Sequence, residues 1–149
     1  MNKFILFFSS AFGTGYIKYA PGTFGTLAGL LLWKAVMPDN FWCHAFALVM
    51  IFLISVVLSS EAEKIYAKKD DQRIVIDEVA GIWFSLAFLP GAFLYLAAAF
   101  VLFRFFDVKK PLFISKLQKI KGGLGVTLDD VAAGIIVNLL LQLLNLAVK

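Results

Sequence analysis

Residues 79–103 read VAGIWFSLAFLPGAFLYLAAAFVLF, twenty-five positions without Asp, Glu, Lys or Arg. Whether this run forms one helix or two decides the fold. A crossing helix needs ~20 apolar residues for a hydrocarbon slab ~30 Å thick. The run is therefore either one kinked span or two short helices broken at Leu89-Pro90-Gly91. Further charge-free runs cover residues 4–17, 19–33, 40–60 and 131–148. Residues 41–60 and 131–148 are long enough to cross directly. Residues 22–36 are short and glycine-rich, with Lys34 placed to snorkel at the far end.

Charge distribution separates the two readings. Let the chain start in the cytoplasm and cross at 22–36, 41–60, 77–89, 91–106 and 130–148. Twelve of the fourteen basic residues then stay on the cytoplasmic side, with only Lys34 and Lys149 opposite. A single helix over 79–103 would carry the six basic residues from Arg104 to Lys121 across. The positive-inside bias favours the break. A segment 77–89 would be only ~20 Å long, so it must be tilted, shallow or re-entrant. The expected fold is all-α: a polytopic helical membrane protein with about five membrane-associated helices, a cytoplasm-facing site, and a single domain over residues 1–149.

Composition agrees. Hydrophobic residues make up 61% and charged residues 16%, with a mean hydropathy of +0.87. Soluble domains carry about 25% charged residues. These figures exclude a soluble globule, a disordered chain, a collagen and a disulfide scaffold. The net charge of +4 lies in clusters between apolar runs, as beside an anionic leaflet, so no nucleic-acid partner is expected, nor a protein partner. Cys43 is the sole cysteine and is expected to be an inert apolar core residue. Met1-Asn2-Lys3 followed by Phe4-Ile5-Leu6-Phe7-Phe8 faintly resembles a signal peptide; retention is expected, because Gly13 and Gly15 belong to a motif described below. His44 is the sole histidine, which leaves no Ser-His-Asp triad.

In this topology the polar residues within or beside the apolar runs converge on one side. Asp77-Glu78 opens the third helix, Arg104 and Asp107 close the fourth, and Asp129-Asp130 opens the fifth. Carboxylates at a membrane boundary are costly unless paired or bound to a metal. Each acidic doublet could also serve simply as an N-terminal cap with favourable dipole charge; Lys116 and Lys119 read as topology determinants. Asp77 and Gly81 are four apart, as are Asp130 and Gly134, so each glycine leaves a notch for a neighbouring helix. Five carboxylates (Asp77, Glu78, Asp107, Asp129 and Asp130) without a nearby histidine form a hard oxygen set suited to Mg²⁺ or Mn²⁺. Arg104, Lys109 and Lys110 add charge for phosphate oxygens. Pro21-Gly22-Thr23-Phe24-Gly25-Thr26 places backbone N–H groups at a helix start, where anions bind. Metal, cations and helix start together describe phosphoryl chemistry, and the membrane setting points to a lipid.

At these residues the sequence resembles the phosphatidylglycerophosphatase A family. Four blocks carry the match: Gly13-Thr14-Gly15 through Pro21-Gly22-Thr23-Phe24-Gly25-Thr26; Asp77-Glu78-Val79-Ala80-Gly81; Arg104 through Pro111; and Gly122-Gly123-Leu124-Gly125-Val126 through Asp129-Asp130 to Gly134. Departures include Lys18, near which the family often has Pro, Thr26 where it has Ser, and Phe113 where it has Pro. The resemblance implies Mg²⁺-dependent hydrolysis of phosphatidylglycerophosphate to phosphatidylglycerol and inorganic phosphate, in phospholipid biosynthesis at the bacterial cytoplasmic membrane. It makes Asp77, Glu78, Asp129 and Asp130 the expected metal ligands, with Asp107 a further ligand or orienter. Arg104 and Lys110 would clamp the phosphate, supported by Thr23 and Gly22. Asp77, Asp130 and Arg104 would carry catalysis, by attack of water or through an aspartyl-phosphate. The competing reading is a small ion- or proton-coupled transporter subunit, whose polar residues would lie at mid-depth. Transfer from a CDP-activated lipid would call for a regular Asp-x-x-x-Asp spacing, which is absent.

Overall fold

The computed structural model describes residues 1–111, 114–117 and 120–148, without the side chains of residues 115 and 148. Phe113, Lys119 and Lys149 lie outside the described residues. Those described are helical, with no strand among them: α1 (Asn2–Ser9), a 3₁₀ turn (Thr14–Tyr16), α2 (Pro21–Val36), α3 (Phe41–Tyr66), α4 (Ile76–Ser85), α5 (Phe93–Lys109), α6 (Ile114–Leu117) and α7 (Gly123–Val148).

The expected break in the run 79–103 is present. α4 ends at Ser85 and α5 begins at Phe93, with Pro90 and Gly91 between. The broken end is closed by side chains from another helix. Asn138 of α7 donates to the carbonyls of Ser85 (3.1 Å) and Ala87 (2.8 Å), and Gln142 donates to Ala87 at 3.2 Å. Backbone groups freed where a helix stops inside an apolar bundle need such partners.

Lengths set two of these helices apart. α3 and α7 have 26 residues each, ~39 Å at 1.5 Å per residue, and both are long and apolar enough to cross a membrane. α2 and α5, with 16 and 17 residues, reach only ~24–26 Å. α4 has ten residues, ~15 Å, half the thickness of a hydrocarbon slab of ~30 Å. Its hydropathy has a different origin: Ala80 and Ile82 are fully buried and Val79 nearly so, because α2, α3, α5 and α7 surround it. A helix buried among helices and one bathed in lipid read alike in sequence. Large apolar side chains are exposed instead on α3, at Phe46, Val49, Leu53 and Val57, and on α7, at Leu139, Leu143 and Leu146.

Close packing holds α4 in place. The indole N–H of Trp83 donates to the carbonyl of Gly29 at 2.8 Å, tying α4 to α2. Gly81 and Gly134 are the expected notches: a Cβ on Gly134 would collide with the carbonyl of Gly81, and one on Gly81 would meet the ring of Phe103. The α7 start is also corrected. The helix begins at Gly123, packed on Ser60 of α3 with its N–H donated to the Ser60 hydroxyl at 3.0 Å. Asp129 and Asp130 therefore lie in its second turn and cannot act as its N-cap. At the opposite end of the bundle, Cys43 is exposed rather than in the core. His44 is buried there, stacked on Phe88 at 4.7 Å.

Candidate active site

Four elements meet at one end of the bundle. α4 presents Asp77 and Glu78 from its first turn, α7 presents Asp129 and Asp130, the end of α5 presents Arg104 and Asp107, and Lys110 caps α5. The start of α2 closes the site. Gly22 lies so near that a Cβ there would overlap the Glu78 carboxylate and stand 3.0 Å from the Arg104 guanidinium. A cavity of about 460 Å³ opens here.

The five carboxylates divide into two sets. Asp77, Glu78 and Asp130 bring one oxygen each to within 4.8 Å of one another. Asp107 and Asp129 instead engage cations: Arg104 Nη1 donates to Asp107 Oδ2 at 2.5 Å, and Lys110 Nζ donates to Asp129 Oδ2. Arg104 Nη1 joins the sets, 4.0 Å from Glu78 Oε1, and Lys110 Nζ, 4.0 Å from Asp107 Oδ1, links the two cation-paired acids.

Four carboxylate oxygens here are buried and take no hydrogen bond from the protein: Asp77 Oδ1, Glu78 Oε2, Asp129 Oδ1 and Asp130 Oδ2. Burying ionised oxygen without a partner costs several kcal/mol. Burial pushes the Asp77 carboxyl well above its usual range, helped by the neighbouring Glu78. Burial, and then the charge of Asp130, push Glu78 up to about 8. The cavity wall carries five acids, Asp70, Asp77, Glu78, Asp107 and Asp130, beside three basic residues, Lys18, Arg104 and Lys110. A bound cation would favour the ionised form of these acids and offset their repulsion of a phosphate. The orphaned oxygens of Asp77, Glu78 and Asp130 fit a hard divalent ion such as Mg²⁺.

Gly22 lines the cavity, whereas Thr23 does not. Thr26 stands nearer the chemistry: its buried hydroxyl donates to the Gly22 carbonyl at 2.8 Å and accepts from Arg104 at 3.5 Å. Its i, i+4 relation to Gly22 was the available signal. The loop before α4 contributes further groups. Arg73 donates to both oxygens of Asp71, at 2.7 and 3.0 Å, and holds that carboxyl down to about 2. The Arg73 guanidinium stacks 3.7 Å from the Tyr66 ring, and the Tyr66 and Tyr16 hydroxyls are 2.9 Å apart. These contacts tie the end of α3 and the 3₁₀ turn to the entrance of α4.

Buried acids and paired cations at one end of an apolar helical bundle are a setting suited to phosphoryl chemistry. Comparison with known proteins agrees. The chain belongs to the phosphatidylglycerophosphatase A family, whose model matches residues 7–145. A protein of Bacteroides thetaiotaomicron named "Putative phosphatidylinositol-3-phosphatase" is 37% identical over 134 residues, covering 85% of this chain and 84% of its own length. Proteins named phosphatidylglycerophosphatase A from Escherichia coli and Haemophilus influenzae are 33% and 36% identical, covering 84% and 83% of this chain and 74% and 78% of their own lengths. No solved structure matches the chain.

Proposed function

We propose that the chain hydrolyses the terminal phosphate of phosphatidylglycerophosphate, releasing phosphatidylglycerol and inorganic phosphate in bacterial phospholipid biosynthesis, with Mg²⁺ as cofactor. The observation that carries the proposal is the convergence of three buried carboxylates bearing orphaned oxygens with two cations already oriented by acids. Asp77, Glu78 and Asp130 would hold the ion. Bound there, a divalent ion supplies positive charge at the phosphoryl group, the main requirement of phosphoryl transfer.

The protein's own groups do the rest. Asp107 fixes the Arg104 guanidinium, so its remaining N–H groups can meet equatorial phosphate oxygens without being reorganised during reaction. Asp129 holds Lys110 in the same way, and its orphaned Oδ1 leaves it able to serve as an additional ligand. Gly22 lets the α2 backbone stand against the site, bringing Thr26 to Arg104. The cavity wall is built from helix ends and the loop before α4, which supports a site at the bilayer surface. Lys64, Lys68 and Arg73 share that end with Lys110, which supports a multi-pass topology with the site facing the cytoplasm. A transporter would need its acids along a path through the bundle, and the acids here gather at one end.

The test is phosphate release by purified protein in detergent micelles, comparing phosphatidylglycerophosphate, phosphatidate and a soluble phosphate monoester, with Mg²⁺ and with EDTA. Release from phosphatidylglycerophosphate that EDTA abolishes supports the proposal. No release from that lipid overturns the substrate, and release indifferent to EDTA overturns the cofactor.

A further inference from the structure

Two of the three cations lining the cavity are committed to acids, Arg104 to Asp107 and Lys110 to Asp129. The third is different. Lys18 lies between the 3₁₀ turn and α2, on a segment remote in sequence from the other two. Its side chain is exposed, and it makes no ion pair among the described residues; its ammonium rests 5.7 Å from the ring of Tyr19. A cavity of about 460 Å³ falls in the ~300–1,000 Å³ range of whole small-molecule sites, so it has room beyond one phosphate. Arg104 and Lys110 are already paired with acids, so a second anionic group in the cavity would meet its uncommitted cation at Lys18.

We propose that Lys18 forms a second phosphate subsite, which binds a phosphodiester while the monoester phosphate lies at the Asp77–Glu78–Asp130 cluster. The inference rests on the lipid phosphatase reading above and sharpens its substrate class. The preferred ligand is a phosphomonoester on a polyol that is itself joined to diacylglycerol through a phosphodiester. Phosphatidate and soluble monoesters lack the second anion. A diester carries a single fixed negative charge, which suits one ammonium with three rotatable donors. Nothing in this role touches the reacting bond, so Lys18 acts on binding and selectivity.

The test compares kcat and KM for phosphatidylglycerophosphate and phosphatidate, in mixed micelles with Mg²⁺, for wild type, Lys18→Ala and Lys18→Arg. Loss of one charge-assisted hydrogen bond predicts that Lys18→Ala lowers the ratio of kcat/KM between the two lipids about tenfold. The change should fall on the KM for phosphatidylglycerophosphate, and Lys18→Arg should restore most of the preference. Thermal unfolding checks that each variant is folded. An unchanged ratio, or an equal loss on both lipids, overturns the subsite while leaving the phosphatase intact. Absence of phosphate release from either lipid by wild type removes the phosphatase reading and the subsite with it.

Discussion

Asp130 is 2% exposed, sits in the second turn of an apolar helix, and has one oxygen with no donor. Such a residue weakens a protein that lacks a bound cation and becomes favourable once one arrives. Its substitution should therefore separate stability from activity. Asp130→Asn and Asp77→Asn are each expected to lower Mg²⁺-dependent phosphate release at least ~10²-fold, the scale of losing a preorganised electrostatic group. In EDTA the same variants should unfold at or above the wild-type temperature, because the cost of burying that carboxyl, whether ionised or forced to hold a proton, has been removed. Mg²⁺ at a hundred times its Kd should stabilise wild type by about 2.7 kcal/mol and leave Asp130→Asn nearly unmoved. Equal Mg²⁺ shifts in wild type and variant would place the ion elsewhere. At this scale the sequence was informative about acids, since a carboxylate beside an apolar run has few inexpensive explanations. How they divide was less legible: Asp129 was expected among the ligands and Asp107 as ligand or orienter, but which acids cluster and which orient Arg104 or Lys110 depends on helix rotation. Lys18 and Thr26 escaped because lysine beside a membrane and threonine in a helix each have ordinary reasons to be there.

Among the elements, the loop from Ala67 to Val75 is the joint on which the site turns, since it delivers Asp77 and Glu78 to the end of the bundle. Asp71 anchors it through Arg73, and Arg73 in turn stacks on Tyr66. The Asp71 carboxyl titrates near 2, against an ordinary value of 3.8. The unfolded chain thus binds the extra proton between those values, and the stabilisation is complete above about 4 and lost as pH falls through 2. The Arg73 side chain is 43% exposed, so solvent screens the pair and its contribution at pH 7 is small. Asp71→Asn should lower the unfolding temperature at pH 7, with the difference closing as the pH approaches 2; a difference that persisted unchanged at pH 2 would assign it to packing. The break at Pro90-Gly91 was legible through charge placement, and the Gly81 and Gly134 notches through their spacing from Asp77 and Asp130. The end of α4 at Ser85 and the early start of α7 at Gly123 were not. Both depend on contacts distant in sequence, Asn138 with the α4 carbonyls and Gly123 with Ser60.

Across the whole molecule, α2 and α4 start at the site end, α3 finishes there, and α3 begins at the other end with Cys43 in its first turn. That cysteine is single and exposed, a natural label for the face opposite the acids. If the lysines and arginines around the site hold it in the cytoplasm, Cys43 should react with a membrane-impermeant maleimide in intact cells. On a Cys43→Ser background, Gln72→Cys, whose exposed position lines the cavity, should react only after the membrane is opened. The two labels report independently on the two ends. Reaction of Gln72→Cys alone would reverse the orientation without disturbing the chemistry of the site, and reaction of both from outside would place both ends of α3 on one side. Protection of both positions until lysis would remove the transmembrane reading of α3, because 26 residues, ~39 Å of helix, cannot cross and leave both ends on one side.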